Sequence, residues 1–200
     1  MRVEGIVSNQ ISNEDKKLID AFLNEYTWMK YDLEQIKTLF NLEKNRILLM
    51  EVAKTFFSTL AYTYWDKFIL YTAKINNKAS DKAGNKNNSI YYLRDIYLNY
   101  TKTKPNILDS HIENIEKNSQ KIKIIRSKFI AHSDRKELLN IMNEDHHIEL
   151  QTIEMIFNEI GMILSIIYNK LFNIHQSLSI TSEGSANAML LILEKYKNEI

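Results

Sequence analysis

The chain has 200 residues, a net charge of +1, four Gly, one Pro and no Cys. That is long enough for one domain with its own core, too poor in turn-formers for many short strands, and without any disulfide, thiolate metal site or Cys nucleophile. The opening MRVEGIVSNQ lacks the apolar core of a signal peptide, and the uncharged apolar run between Glu159 and Lys170 is too short to span a bilayer, so a soluble, cytoplasmic protein without a membrane partner is expected.

No internal repeat and no break in composition divides the chain, so a single all-α domain over residues 1–200 is expected. Apolar residues recur at helical spacing almost throughout. Leu18, Phe22, Tyr26, Met29, Leu33, Ile36 and Phe40 form the first stripe, with Ser12 and Asp15 as its N-terminal capping pair. A second helix is expected from about residue 44 to 76, with Met50, Ala53, Phe57, Leu60, Tyr64, Phe68, Tyr71 and Ile75 on one face. Leu49, Val52 and Phe56 make its other sides partly apolar, which predicts a central position. Residues 76–89, NNKASDKAGNKNNS, read as a polar loop.

A short helix carrying Ile90, Leu93, Tyr97 and Tyr100 follows Ser89, and Lys104-Pro105 ends that region. Asp109 is the expected N-cap of a fourth helix. The stripe of that helix is Leu108, Ile112, Ile115, Ile122, Ile125 and Phe129, with His132 at the next position. A short helix through Leu138, Leu139 and Ile141 comes next, and Asn143 to His147 forms a polar connection. The longest stripe runs from Ile153 through Ile156, Phe157, Ile160, Ile163, Leu164, Ile167 and Leu171 to Ile174. After Thr181-Ser182-Glu183-Gly184 a terminal helix extends to about residue 198. The expected fold is an all-α bundle of about five to seven helices with long core helices.

Charge concentrates in one place. Residues 117–136 hold Lys117, Lys121, Lys123, Arg126, Lys128, Arg135 and Lys136 against Asp134 alone, a local +6 in a chain of net +1. Such a surface attracts a phosphate backbone, and it is equally the solvated face of a lysine-rich helix. Inside this window lies RSKFIAHSD, residues 126–134. Cleavage of RNA by its own 2′-hydroxyl needs a proton acceptor and a proton donor, and a histidine titrating near neutrality serves as either. A guanidinium fork matches the charge that builds on phosphate oxygens. Arg126 and His132 supply these two groups without a metal or other cofactor.

Six helical residues turn through about 600°, which leaves Arg126 and His132 roughly 120° apart around one axis. They converge if the helix loosens near His132, if the arginine reaches round, or if a second copy supplies one of them. Other readings stand beside this one. A histidine on an apolar stripe also serves as a core or interface residue, and Asp134 with Glu137 makes a capping box for the next helix. His146 and His147, near Glu144, Asp145 and Glu149, point to different sides of a helix and make a poor metal site. His111 and His175 show no partner. P-loop, GxGxxG, HExxH and GxSxG motifs are absent.

The arginine, five intervening residues and histidine of RSKFIAHSDRK resemble the signature of the HEPN superfamily. The AHSD ending and Lys128, two after the arginine, look most like its AbiU-type branch, associated with phage abortive infection. The upstream layout is similar too: a long helix, a polar loop with Ser80-Asp81, then Asn88-Ser89-Ile90 opening a helix. The resemblance covers roughly residues 45–175. It implies a helical bundle that dimerises, with paired motifs forming a metal-independent RNase centre, in proteins many of which are toxins or defence effectors. By position, Arg126 and His132 would be the catalytic pair. Ser127, Lys128, Lys123, Asp134 and Arg135 would contact the substrate. Ser127 stands where active members commonly carry Asn, Asp or His. Asp134 stands where another branch has a tyrosine modified by a partner nucleotidyltransferase. The expected partners are RNA and a second copy of the chain, with an antitoxin or other defence protein as a further class. Members without activity bind RNA, a nucleotide or a protein partner, and that is the alternative reading.

Overall fold

The computed structural model describes residues 11–84, 86–102, 106–126, 148–174 and 185–199. Among them are seven helices: α1 (Asn13–Phe40), α2 (Glu43–Ile75), α3 (Ile90–Thr101), α4 (Asn106–Asn118), α5 (Gln120–Ile125), α6 (Leu150–Phe172) and α7 (Ser185–Glu199). There is no strand among the described residues, only an isolated antiparallel bridge between Ser80 and Lys86 in the polar loop. The fold is all-α, as the apolar periodicity and the scarcity of turn-formers predict. The second short helix, expected through Leu138 and Ile141, lies outside the described residues, as do Phe129 and Lys104-Pro105.

The described residues group into two compact units. The first takes its residues from Met1–Tyr26 and Ile69–Leu178, the second from Thr27–Phe68 and Ser179–Ile200.

In the first unit α6 is the centrepiece. Ile153, Ile156, Phe157, Ile160, Ile163, Leu164, Ile167 and Leu171 are all buried, and α6 packs chiefly against α4 and also against α3. By length and composition α6 would suffice to cross a membrane, but its apolar stripe is buried inside this unit. Ile174, expected on that stripe, lies beyond the left-handed cap at Asn173 and is exposed. Phe157 is fully buried, with ring centroids 6.1 Å from Tyr26 and 5.6 Å from Tyr71.

Local chemistry sets the helix starts. The Ser12 hydroxyl oxygen accepts from the Asp15 N–H at 3.0 Å and its O–H donates to the Asp15 carboxylate at 2.8 Å, the capping pair the sequence predicts. Burial raises the Asp15 carboxyl, but hydrogen bonds from Tyr100, Ser12 and Tyr92 outweigh it and hold it below its ordinary value. Ser89 caps α3 through the Tyr92 N–H at 3.3 Å. Asp109 is not the cap expected of it. The fourth helix already begins at Asn106, and the Asp109 carboxylate in its first turn accepts from Arg94 Nε at 2.6 Å. A charged residue in a first helical turn serves the dipole as well as a cap does, so the sequence signal for the two roles is the same.

The second unit is built from the C-terminal part of α1, most of α2, and α7. Leu39, Leu48, Leu49, Phe57, Ala186 and Leu190 form its core. The Gln35 side-chain oxygen receives the Ser185 hydroxyl at 2.6 Å and the Ala186 N–H at 2.9 Å, which secures the start of α7. α2 departs from an ideal helix at Ala53 (φ −156°, ψ 68°). It is also less enclosed than its all-round apolarity predicts: Leu49 is buried, but Val52 is 38% and Phe56 61% exposed. The kink interrupts the periodicity from which a single buried face was extrapolated.

Candidate functional site

The fourth predicted helix is in fact a rod of two pieces, α4 and α5, meeting at Ser119. Leu108, Ile112, Ile115, Ile122 and Ile125 are buried along it, as its stripe predicts. The junction is fixed from inside. The buried Asn76 side chain, one residue past α2, donates to the Ser119 hydroxyl at 2.9 Å and to the Thr72 carbonyl at 3.1 Å. Burial of such groups demands partners, so this bond holds the α4–α5 joint against the end of α2.

Side chains on α3 and α6 hold α4. Tyr91 donates to Glu116; burial and that carboxylate together push the phenol upward. His111 Nδ1 lies 2.5 Å from the Glu159 carboxylate, whose other oxygen accepts from Asn114 at 3.0 Å. His111 therefore has a partner that the sequence does not reveal. The pair joins residues 48 positions apart on helices whose apposition no local pattern encodes.

Arg126 stands at the C-terminal end of this rod. It keeps helical dihedral angles (φ −56°, ψ −47°), and its backbone N–H reaches the carbonyls of Ile122 and Lys123. Its side chain is exposed, as is that of Lys123. Ile122 and Ile125 of the same short element are buried, so the anchoring residues and the two cations alternate along it. Cations at this end also suit the negative pole of the helix. Ser127, Lys128, His132, Asp134 and Arg135 lie outside the described residues, and so do His146, His147 and His175. Of the expected site, the structure brings Lys123 and Arg126 onto one helix end. Among the described residues no group of three or more His, Asp or Glu could hold a metal ion.

Compared with known families, residues 13–189 match the family model HEPN_AbiU2, described as AbiU2. The chain belongs to the AbiU2 family of HEPN domains. No curated protein and no solved structure matches it. The match begins at the first residue of α1 and ends inside α7, so it extends well beyond the span on which the sequence resemblance rests. RSKFIAHSD, with Arg126 and His132, falls within it. In this AbiU2 domain Arg126 is exposed next to α5, and the preceding α4 and its joint are held by α2, α3 and α6.

Proposed function

We propose that the chain is a metal-independent endoribonuclease of the HEPN type, acting in phage defence or as a toxin, with its active centre formed across a homodimer. The observation that carries the reading is the exposed Arg126 next to α5, whose Ile122 and Ile125 are buried, in a chain that belongs to a HEPN family. In this reading Arg126 stabilises charge on the phosphate. His132 moves the proton of the 2′-hydroxyl or of the leaving oxygen. Lys123, Lys128 and Arg135 hold the RNA backbone. A second copy supplies the partner of each motif, because an ideal helix through both residues would set arginine and histidine about 120° apart. The substrate sets the cytoplasm as the place of action, and the need for a 2′-hydroxyl restricts cutting to RNA.

Ser127 favours a second reading. It occupies the place where active members commonly carry Asn, Asp or His, and a domain without turnover would bind RNA, a nucleotide or a protein partner through the same surface. One experiment separates the two. Purified protein incubated with RNA in EDTA is expected to cut it and leave 2′,3′-cyclic phosphate ends. Binding without cleavage would favour the module, and cleavage abolished by EDTA or leaving a 3′-hydroxyl would overturn the proposed mechanism.

A further inference from the structure

A groove of about 540 Å³ runs between the α4–α5 rod and the segment entering α6. Lys117 and Lys121 line one side of it, both exposed, and both belong to the basic window of the sequence. Ile124 also lines it, and is half exposed (50%) although it is a large apolar side chain, flanked by the buried Ile122 and Ile125. The other side carries Ile148, which is buried, together with Glu149 and Thr152. Cations beside an exposed apolar side chain suit an unpaired nucleotide, whose bare base face gains by covering apolar surface. Lysines hold the phosphate, and the base face packs on the apolar side chain by burial of apolar surface rather than by aromatic stacking. The Glu149 carboxylate repels phosphate from its own wall and leaves the lysine wall as the favourable one.

Resting on the ribonuclease reading above, we infer that this groove holds a nucleotide of single-stranded RNA flanking the cleaved bond, its phosphate on Lys117 and Lys121 and its base against Ile124. The groove is a contact separate from Arg126. Five helical residues separate Lys121 from Arg126, about 7.5 Å along the axis and about 140° around it. A strand that touches both therefore curves over the end of the rod. That geometry suits a flexible single strand and disfavours a stiff duplex.

The test is binding of a 2′-O-methyl RNA oligonucleotide, which lacks the attacking hydroxyl, followed by fluorescence anisotropy over a series of salt concentrations. Lys117→Gln/Lys121→Gln protein is expected to bind about tenfold more weakly than wild type. The slope of log affinity against log salt is expected to fall by about 1.4, or about 0.7 for each lysine that no longer neutralises a phosphate. Lys117→Arg/Lys121→Arg should restore both, and circular dichroism should show equal helix content in all three proteins. Wild-type affinity and slope in the Gln variant would overturn the groove, and so would an Arg variant as weak as the Gln variant. Failure of wild type to bind the oligonucleotide would overturn it as well. A wild type that binds the oligonucleotide through these lysines but cuts no RNA would instead sink the ribonuclease reading, and with it the flanking bond, and leave the groove as a single-strand RNA site.

Discussion

Arg126→Ala protein is expected to cut RNA about a hundred- to a thousandfold more slowly than wild type, the usual effect of removing one group aimed at developing charge. Its melting temperature should not move. Arg126 is exposed, and α5 is anchored by Ile122 and Ile125 rather than by the arginine; exposed positions of this kind change stability by about 0.5 kcal/mol or less. Arg126→Lys should recover only part of the rate, because an ammonium keeps the charge and loses the planar fork. His132→Ala should be slowed by a comparable factor, in the roughly 10²–10⁴ range of a lost general acid or base. Initial rates on one RNA, with thermal melts of each variant, read all of this. Undiminished cutting by either alanine variant would remove that residue from the mechanism.

Phe157→Ala is expected to have the largest effect on stability, a loss of about 3–5 kcal/mol. Phe157 lies on the buried stripe of α6, has no exposed surface, and touches the rings of Tyr26 from α1 and Tyr71 from α2. Truncation removes both aromatic pairings and leaves a cavity that three rigid helices cannot close. The melting temperature should fall by roughly 10 °C. Met155→Ala, on the exposed side of the same helix, is the control and should change stability by about 0.5 kcal/mol or less. A Phe157 variant as stable as that control would contradict the packing described for the first unit.

The long stripes were legible because burial of one helix face imposes a period that composition cannot hide. Ile153 to Leu171 on α6 and Leu108 to Ile125 on the α4–α5 rod are buried as that period requires. The Ser12–Asp15 pair was legible because a cap is made by residues three apart. What depended on distant apposition was not. His111 shows no partner in sequence because Glu159 comes from another helix, and the Asn76–Ser119 bond that seats the α4–α5 joint is set by tertiary packing. The kink at Ala53 has no Pro or Gly to announce it. The exposure of Phe56 could not be foreseen from a helix apolar on every side, because α2 has almost no amphipathic direction to read. Of the candidate site, the sequence picks out Arg126 by its chemistry. Its exposure is a tertiary fact, and the partners that seat the preceding α4 (Asn76, Tyr91 and Glu159) lie far from it along the chain.

The centre shared between two copies is tested most directly by complementation. Arg126→Ala and His132→Ala chains, each inactive alone, are co-expressed with different tags and the mixed dimer is purified through both. A centre that takes its arginine from one copy and its histidine from the other is intact once in that dimer, and RNA cleavage should return at about half the wild-type rate per dimer. A mixed dimer as inactive as its parents would contradict a centre that takes its arginine from one copy and its histidine from the other.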